Sequence, residues 1–215
     1  MNIHICTLGK TIGHVLSSFT YYKIDRLVII SSPECKDSVK DLKHKIEVFG
    51  IDVDLCTIDP FSKDSYYNIV DFIVDYYLKC SEEQFYINIT GGTNLMSSAA
   101  LTSAHFIGAN TYYVLKDNRG DNIIEVPLLK FSINDALTEK QKIILKILHK
   151  EIYKKGEISN ISEFASKEGT YKQRLMYYIY ELEKLNIIKV DRSKREYNIK
   201  FTPTGALLYK LILNQ

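Results

Sequence analysis

Along residues 1–134, short apolar runs alternate with amphipathic segments of helix length. Ile3 to Leu8, Arg26 to Ser31, Ile51 to Ile58, Gln84 to Thr90 and Thr111 to Leu115 are β-branched or aromatic runs. Between them, Ile12 to Tyr22, Glu34 to Phe49, Ser65 to Leu78 and Asn94 to Ile107 carry apolar residues at helical spacing. Repetition of strand, helix and strand predicts parallel pairing and hence an α/β fold, a doubly wound and mostly parallel sheet. The segment 116–122, rich in Asn, Gly and Asp turn formers, precedes a last edge strand predicted over Ile123 to Leu128.

Beyond residue 134 the pattern changes. Leu137 to Tyr153 has Ile143, Ile144, Ile147 and Leu148 at helical spacing, Ile161 to Lys167 follows as a short helix entered through Ser159-Asn160, and Thr170 is placed to cap a third helix reaching about Leu185. That order is the helix-turn-helix order. The apolar runs Ile187 to Val190 and Tyr197 to Phe201 then flank the polar segment Asp191 to Glu196, which predicts a hairpin with a basic tip and completes a small winged helix. Thr202-Pro203-Thr204 starts a closing helix, Gly205 to Leu213, with Leu207, Leu208, Leu211 and Ile212 for packing on the first helix or on a partner subunit. The composition shift near residues 131–135 divides the chain into domains 1–132 and 133–215.

Charge sharpens that division. Residues 1–134 hold 12 basic against 16 acidic side chains, a net of −4, whereas residues 135–215 hold 16 against 10, a net of +6. The two parts therefore suit different partners. In the third helix, Leu175, Ile179, Leu182 and Leu185 form the expected buried stripe, which leaves Lys172, Gln173, Arg174, Tyr177 and Tyr180 on other faces. Lys172 and Arg174 suit phosphates, Gln173 and Tyr177 suit base edges, and Arg192, Lys194 and Arg195 at the wing suit the backbone of double-stranded DNA. A solvated basic face and half-buried tyrosines are the plainer readings of the same residues.

No run approaches the roughly 20 apolar residues that span a bilayer, and the N-terminus lacks the regions of a signal peptide, so no membrane association and a cytoplasmic location are expected. Cys6, Cys35, Cys56 and Cys80 are widely spaced and the five histidines show no paired spacing, which predicts buried reduced thiols and no metal site.

The strongest chemical signal is Thr90-Gly91-Gly92-Thr93 between the fourth strand and a helix rich in small residues. The two glycines let the backbone bend and a ligand approach it, and Thr93 can cap the helix, so the corner suits an anion such as phosphate. In doubly wound sheets ligands sit beyond the carboxyl ends of the strands where strand order reverses, which makes the loop after strand one, with Gly9, Lys10, Thr11 and Ile12, the expected neighbour. Lys10 supplies a cation there. The run Gly9-Lys10-Thr11 imitates the end of a P-loop, but that motif needs a glycine at position 4, which is His4; neither glycine cluster matches GxGxxG. A tight turn with no ligand is the alternative reading, with Ser97, Ser98, Ala99 and Ala100 serving helix packing.

The run Ile89-Thr90-Gly91-Gly92-Thr93-Asn94-Leu95-Met96 with its small-residue helix resembles the CARF domain, the CRISPR-associated Rossmann fold. Its joining to a winged helix resembles the archaeal CARF and helix-turn-helix transcriptional regulators of CRISPR antiviral defence. The resemblance implies a Rossmann-like domain and a homodimer in which the loops after strands one and four of both subunits cradle a cyclic oligoadenylate, commonly cyclic tetra-adenylate. It implies ligand contacts from Gly9, Lys10 and Thr11 in one loop and from Thr90, Gly91, Gly92, Thr93, Asn94 and Met96 in the other, with Met96 or Ile12 packing on adenine. No cofactor is implied. Some relatives cleave the ring without metal, and Lys10, Thr11 and Lys116 are the candidates for that chemistry here. The leading expectation is a transcriptional regulator that senses the ring and binds DNA; the alternatives are a ring nuclease that uses its winged helix for dimerisation, and a ligand-free interaction protein.

Overall fold

The computed structural model describes residues 1–116, 122–128, 136–155, 158, 160–169, 171–192 and 198–213. It divides into two compact units, Met1–Phe131 and Ser132–Gln215.

The first unit runs β1 (Asn2–Leu8), α1 (Gly13–Tyr21), β2 (Arg26–Ser31), α2 (Lys36–Ile46), β3 (Asp52–Thr57), α3 (Ser65–Lys79), β4 (Gln84–Asn88), α4 (Asn94–Ile107), β5 (Asn110–Val114) and β6 (Ile123–Val126). Its single sheet has the order β3-β2-β1-β4-β5-β6. All pairs are parallel except β5 with β6. This is the α/β, Rossmann-like architecture that the strand-helix alternation predicts. The chain winds outward from β1 to β3, returns to the other side of β1 as β4, and so puts the reversal of strand order between β1 and β4.

Central position explains β1: residues 3–8 are all buried, because helices cover both faces. Cys6 and Leu8 join Leu27 and Ile29 under Val15 of α1 and Val39, Leu42 and Ile46 of α2. Buried Ile3 and Ile5 alternate to the other face, where α3 and α4 pack together. Ala99, Ala100, Ser103 and Ala104 give α4 a buried, nearly flat side that lets it lie close. The segment expected as one helix over Glu34 to Phe49 is α2 with a 3₁₀ turn at each end, Pro33–Cys35 and Glu47–Phe49, stopped by Gly50 at φ 61°. All four cysteines are free thiols; Cys6 and Cys35 are buried and Cys56 and Cys80 half-buried. Burial pushes the Cys6 thiol up to about 12 and Cys56 up to about 11.

The second unit contains α5 (Glu139–Lys155), α6 (Ile161–Lys167), α7 (Lys172–Lys184), the antiparallel pair β7 (Ile188–Asp191) and β8 (Asn198–Phe201), and α8 (Pro203–Leu213). Leu145, Leu148, Phe164, Leu175, Ile179, Leu182, Leu208 and Leu211 are buried. Thr138 and Gln141 form a capping box before α5, with Gln141 Oε1 accepting the Thr138 amide at 2.8 Å and Thr138 Oγ1 the Gln141 amide at 3.3 Å. Asn160 Oδ1 caps α6 by accepting the Glu163 amide at 3.1 Å. At α8, Gly205 must be glycine, since a Cβ there would sit 1.9 Å from the Ile187 carbonyl oxygen. Leu185 departs from the expected buried stripe: α7 ends at Lys184, so Leu185 falls at the cap position and is 48% exposed. Tyr171 stands at the N-cap of α7, and the expected cap Thr170 lies outside the described residues.

Candidate functional site

The turn after β4 is fixed by side chains of its surroundings. Asn88 is buried; its amide donates to the His14 carbonyl at 3.3 Å and to Ser18 Oγ at 3.2 Å, while its Oδ1 accepts the Thr90 amide at 3.0 Å. Thr90 Oγ1 accepts the Val114 amide at 2.7 Å. The Gly91 carbonyl accepts Thr7 Oγ1 at 2.6 Å and Ser97 Oγ at 2.9 Å. These bonds turn the carbonyl inward and leave the following amides outward.

Glycine is required at this turn by contact and by conformation. A Cβ on Gly91 would lie 2.3 Å from the Thr7 carbonyl oxygen and 2.4 Å from His14 Nε2. Gly92 has φ +75°, in the left-handed region. A Cβ on Gly9 would meet the Gly92 amide nitrogen at 3.2 Å, so the loops after β1 and β4 cross in backbone contact. Thr93 caps α4 by accepting the Met96 amide at 3.3 Å. The amides of Gly91, Gly92, Thr93, Asn94 and Leu95 take no acceptor among the described residues. They cluster at the positive end of a 14-residue helix, which gives this corner both hydrogen-bond donors and a favourable field for an anion.

Beside the corner opens a cleft of about 380 Å³ lined by Thr11, Gly13, His14, Ser17, Thr90, Tyr113, Val114, Leu115, Lys116 and Asn122. It brings Thr11 and Lys116, distant in sequence, to one wall system with Thr90. Lys10 is exposed and does not line it; its carbonyl accepts Ser38 Oγ at 3.1 Å. Asn94 is exposed at the start of α4. Of the two residues expected to pack on adenine, Met96 is taken up by packing. Met96 is 1% exposed and its thioether lies directly under Gly92, while Ile12 is half-buried against the core beneath α1 and α2. Met96 supports the loop from below and presents no free apolar face, whereas Ile12 packs one side on the core and keeps part of its surface exposed.

His14, Ser17, Tyr113 and Asn122 are cleft residues that sequence reasoning missed. The Nε2–H of His14 donates to the Thr7 carbonyl at 3.2 Å, and burial holds the imidazole below its ordinary pKa. His14 is thus a neutral wedge between the two loops at pH 7. The one signal for it in the sequence is its place at the start of α1, directly after the first loop. Among the described residues no group of three His, Cys, Asp or Glu side chains is arranged to hold a metal ion, and no helix is long and apolar enough to cross a membrane.

In the second unit Lys172, Gln173, Arg174 and Tyr177 are exposed on α7, whose buried residues are Leu175, Ile179 and Leu182. Arg192 differs from its expected role as a projecting wing cation. Its Nη1 donates to Glu183 Oε1 at 2.9 Å and its Nη2 to the other oxygen, which holds the Glu183 carboxyl below its usual range. Lys194 and Arg195 lie outside the described residues. Lys189 and Lys200, not singled out by the sequence, are exposed and directly opposite each other in the β7–β8 register. Like charges so placed repel, and the pair gains from an anion laid across it.

The sequence matches no curated protein. Among solved structures the chain is similar to Can2 from Sulfobacillus thermosulfidooxidans in complex with cyclic tetra-adenylate, at 14% identity and a TM-score of 0.48, over 98% of this chain and 63% of that one. It is similar to Enterococcus italicus Csm6 bound to cyclic hexa-2'-fluoro-hexa-dAMP, at 12% identity and a TM-score of 0.49, over 87% and 56%. Protein VC1899 from Vibrio cholerae aligns at 12% identity and a TM-score of 0.47, over 98% and 66%. The chain spans less than two thirds of each of these proteins. A family model matches residues 2–119, more than half of the chain and nearly all of the Rossmann-like unit, and by that match the chain belongs to the family described as HFX_2341_N:-like, N-terminal.

Proposed function

We propose that the first unit is a CARF-type sensor of cyclic oligoadenylate and that the second is a winged helix-turn-helix unit that binds double-stranded DNA, so that the chain acts as a CRISPR-associated transcriptional regulator. The observation that carries this reading is the crossing of the two loops at the β1/β4 switch point, with five acceptor-free amides at the start of α4. Gly9, Gly91, Gly92, Thr93 and Asn94 hold phosphate through their backbone, and Thr11, Thr90 and Lys116 face the remainder of the ligand from the cleft. Lys10 adds positive charge at the rim.

A ring of four nucleotides has two-fold character, which suits a homodimer whose axis passes between two such corners. Cyclic tetra-adenylate is therefore the favoured ligand. DNA is offered Lys172, Gln173, Arg174 and Tyr177 on α7 and the opposed Lys189 and Lys200 on the hairpin. The ring alters DNA affinity by the difference in its affinity for the DNA-bound and free arrangements of the dimer.

A second reading is favoured by the meeting of Thr11, His14 and Lys116 in one cleft. There a ribose 2′-hydroxyl gives its proton to solvent and attacks the adjacent phosphorus, the bond to the 5′-oxygen breaks with a 2′,3′-cyclic phosphate left behind, and Lys116 stabilises the leaving oxygen until water protonates it. Isothermal titration calorimetry with cyclic tetra- and hexa-adenylate tests the sensor. Saturable heat with the tetramer is expected, followed by a changed affinity for duplex DNA in the presence of ligand. Absence of heat with both rings at micromolar protein rejects the sensor, and linear di-adenylate accumulating in chelator assigns the enzyme.

A further inference from the structure

The opposite end of the same sheet, where strands begin and helices finish, holds a second cavity of about 240 Å³. Two neighbouring rows of side chains cross the sheet there on the face that carries α1, one through His4, Tyr86 and Asn110 and the next through Asn88, Tyr112 and Glu125. His4 on β1 is paired in register with Tyr86 on β4, and Tyr112 on β5 with Glu125 on β6. The His4 ring stacks on Tyr86 with centroids 4.5 Å apart and planes 8° apart. Tyr22, the residue that ends α1, lies 5.3 Å from Tyr86 and 4.8 Å from Tyr112, ring centre to ring centre. Tyr112 Oη is 3.0 Å from His4 Nδ1, and His4 Nε2 is buried with no hydrogen-bond partner among the described residues.

Tyr22, Tyr86 and Tyr112 form one side of the cavity, and Asn110 and Glu125 line the rest together with small and apolar residues. Among the described residues no basic side chain lines it. The Glu125 carboxylate has no ion pair or hydrogen bond among the described residues, and Ala109, which follows the carbonyl end of α4, is part of the wall. Aromatic faces, a carboxylate and a helix C-terminus all favour positive charge, and the aromatic component favours a weakly hydrated organic cation over a small hydrated metal ion. The net −4 of residues 1–134 draws such a cation toward this unit.

We infer that this cavity binds an organic cation, an alkylammonium or guanidinium head, at the end of the sheet remote from the anion corner. The inference does not depend on cyclic oligoadenylate binding. Such a head reaches the cavity either on a free polyamine or on an arginine side chain of another polypeptide.

The test follows the backbone amide resonances of Asn110, Thr111 and Glu125 in the full chain during titration with tetramethylammonium chloride, ethylguanidinium chloride and, at matched ionic strength, sodium chloride. Saturable shifts with the organic cations and none with sodium are expected. Glu125→Gln, on an exposed position of an edge strand, and Tyr86→Leu each weaken binding roughly tenfold. Glu125→Gln alone decides the matter if Tyr86→Leu does not fold. Spermidine and N-acetyl-arginine amide, compared in the same way, identify the free or the side-chain source by the tighter binder. The proposal falls if no cation gives a saturable shift, if sodium gives the same shifts, or if Glu125→Gln binds as the unaltered chain does. Calorimetry with cyclic tetra-adenylate on Glu125→Gln keeps the two sites separate, because its heat is expected to be unchanged.

Discussion

The two ends of the first sheet solve recognition by opposite means. At the carboxyl ends of β1 and β4 the backbone presents the chemistry: glycines cross, amides point outward, and side chains such as Asn88, Thr7 and Ser97 hold the turn from behind. At the other end side chains present the chemistry, with Tyr86, Tyr112 and Glu125 standing on ordinary strand backbone and Tyr22 reaching in from the end of α1. A surface made of main chain tolerates no added atom, whereas one made of side chains is tuned by exchanging them. The difference also follows helix polarity, since positive helix ends meet the first surface and a negative end meets the second.

The largest effect is expected from putting a methyl group into the main-chain end. Gly91→Ala places Cβ within 2.4 Å of both Thr7 and His14, and should cost about 3 kcal/mol of stability, read as a lowered urea midpoint, along with loss of cyclic tetra-adenylate binding. A variant as stable as the original would show that the loops can part, and would break the contrast.

An effect of similar size, felt only in acid, belongs to the side-chain end. Burial pushes the His4 pKa down to about 4, from an ordinary value near 6.5. Between these values the unfolded chain takes up the proton and the folded chain does not. Stability is therefore full above about pH 6.5 and declines as pH falls toward 4, by about 3 kcal/mol in total from this group. His14, also lowered by burial, adds in the same direction. His4→Gln should flatten part of that slope in denaturant titrations from pH 7 to 4; an unchanged slope would assign the acid sensitivity elsewhere.

The smallest effect is expected where the ends resemble each other, at a side chain serving the backbone. Thr93→Ala removes the cap on the Met96 amide and should cost about 1 kcal/mol. Its ring affinity should fall by less than that of Gly91→Ala, because the outward amides remain. Thermal unfolding and calorimetry on the two variants give the order directly.

What could be read from the sequence was local. Strand and helix alternation places all six strands, since each run's period is set within a few residues, and Gly91-Gly92-Thr93 announces its turn by lacking Cβ atoms. Residues whose roles depend on distant partners were not legible. His14 becomes a wedge only because β4 returns beside β1, and Arg192 meets Glu183 only after β7 folds back along α7. Met96 looks like a free apolar residue in a ligand loop, but as the third residue of α4 it points back beneath Gly92. Lys189 and Lys200 are unremarkable until the hairpin register sets them face to face.

The crossing, where a Cβ on Gly9 would lie 3.2 Å from the Gly92 amide nitrogen and one on Gly91 would overlap Thr7 and His14, has an evolutionary corollary. A side chain added at the crossing must displace the facing backbone or His14, so change there is disfavoured. Novelty must enter at the shoulders, through Thr11, Asn94 and Lys116, so divergence among kindred chains is expected to gather at those three positions while the crossing stays bare.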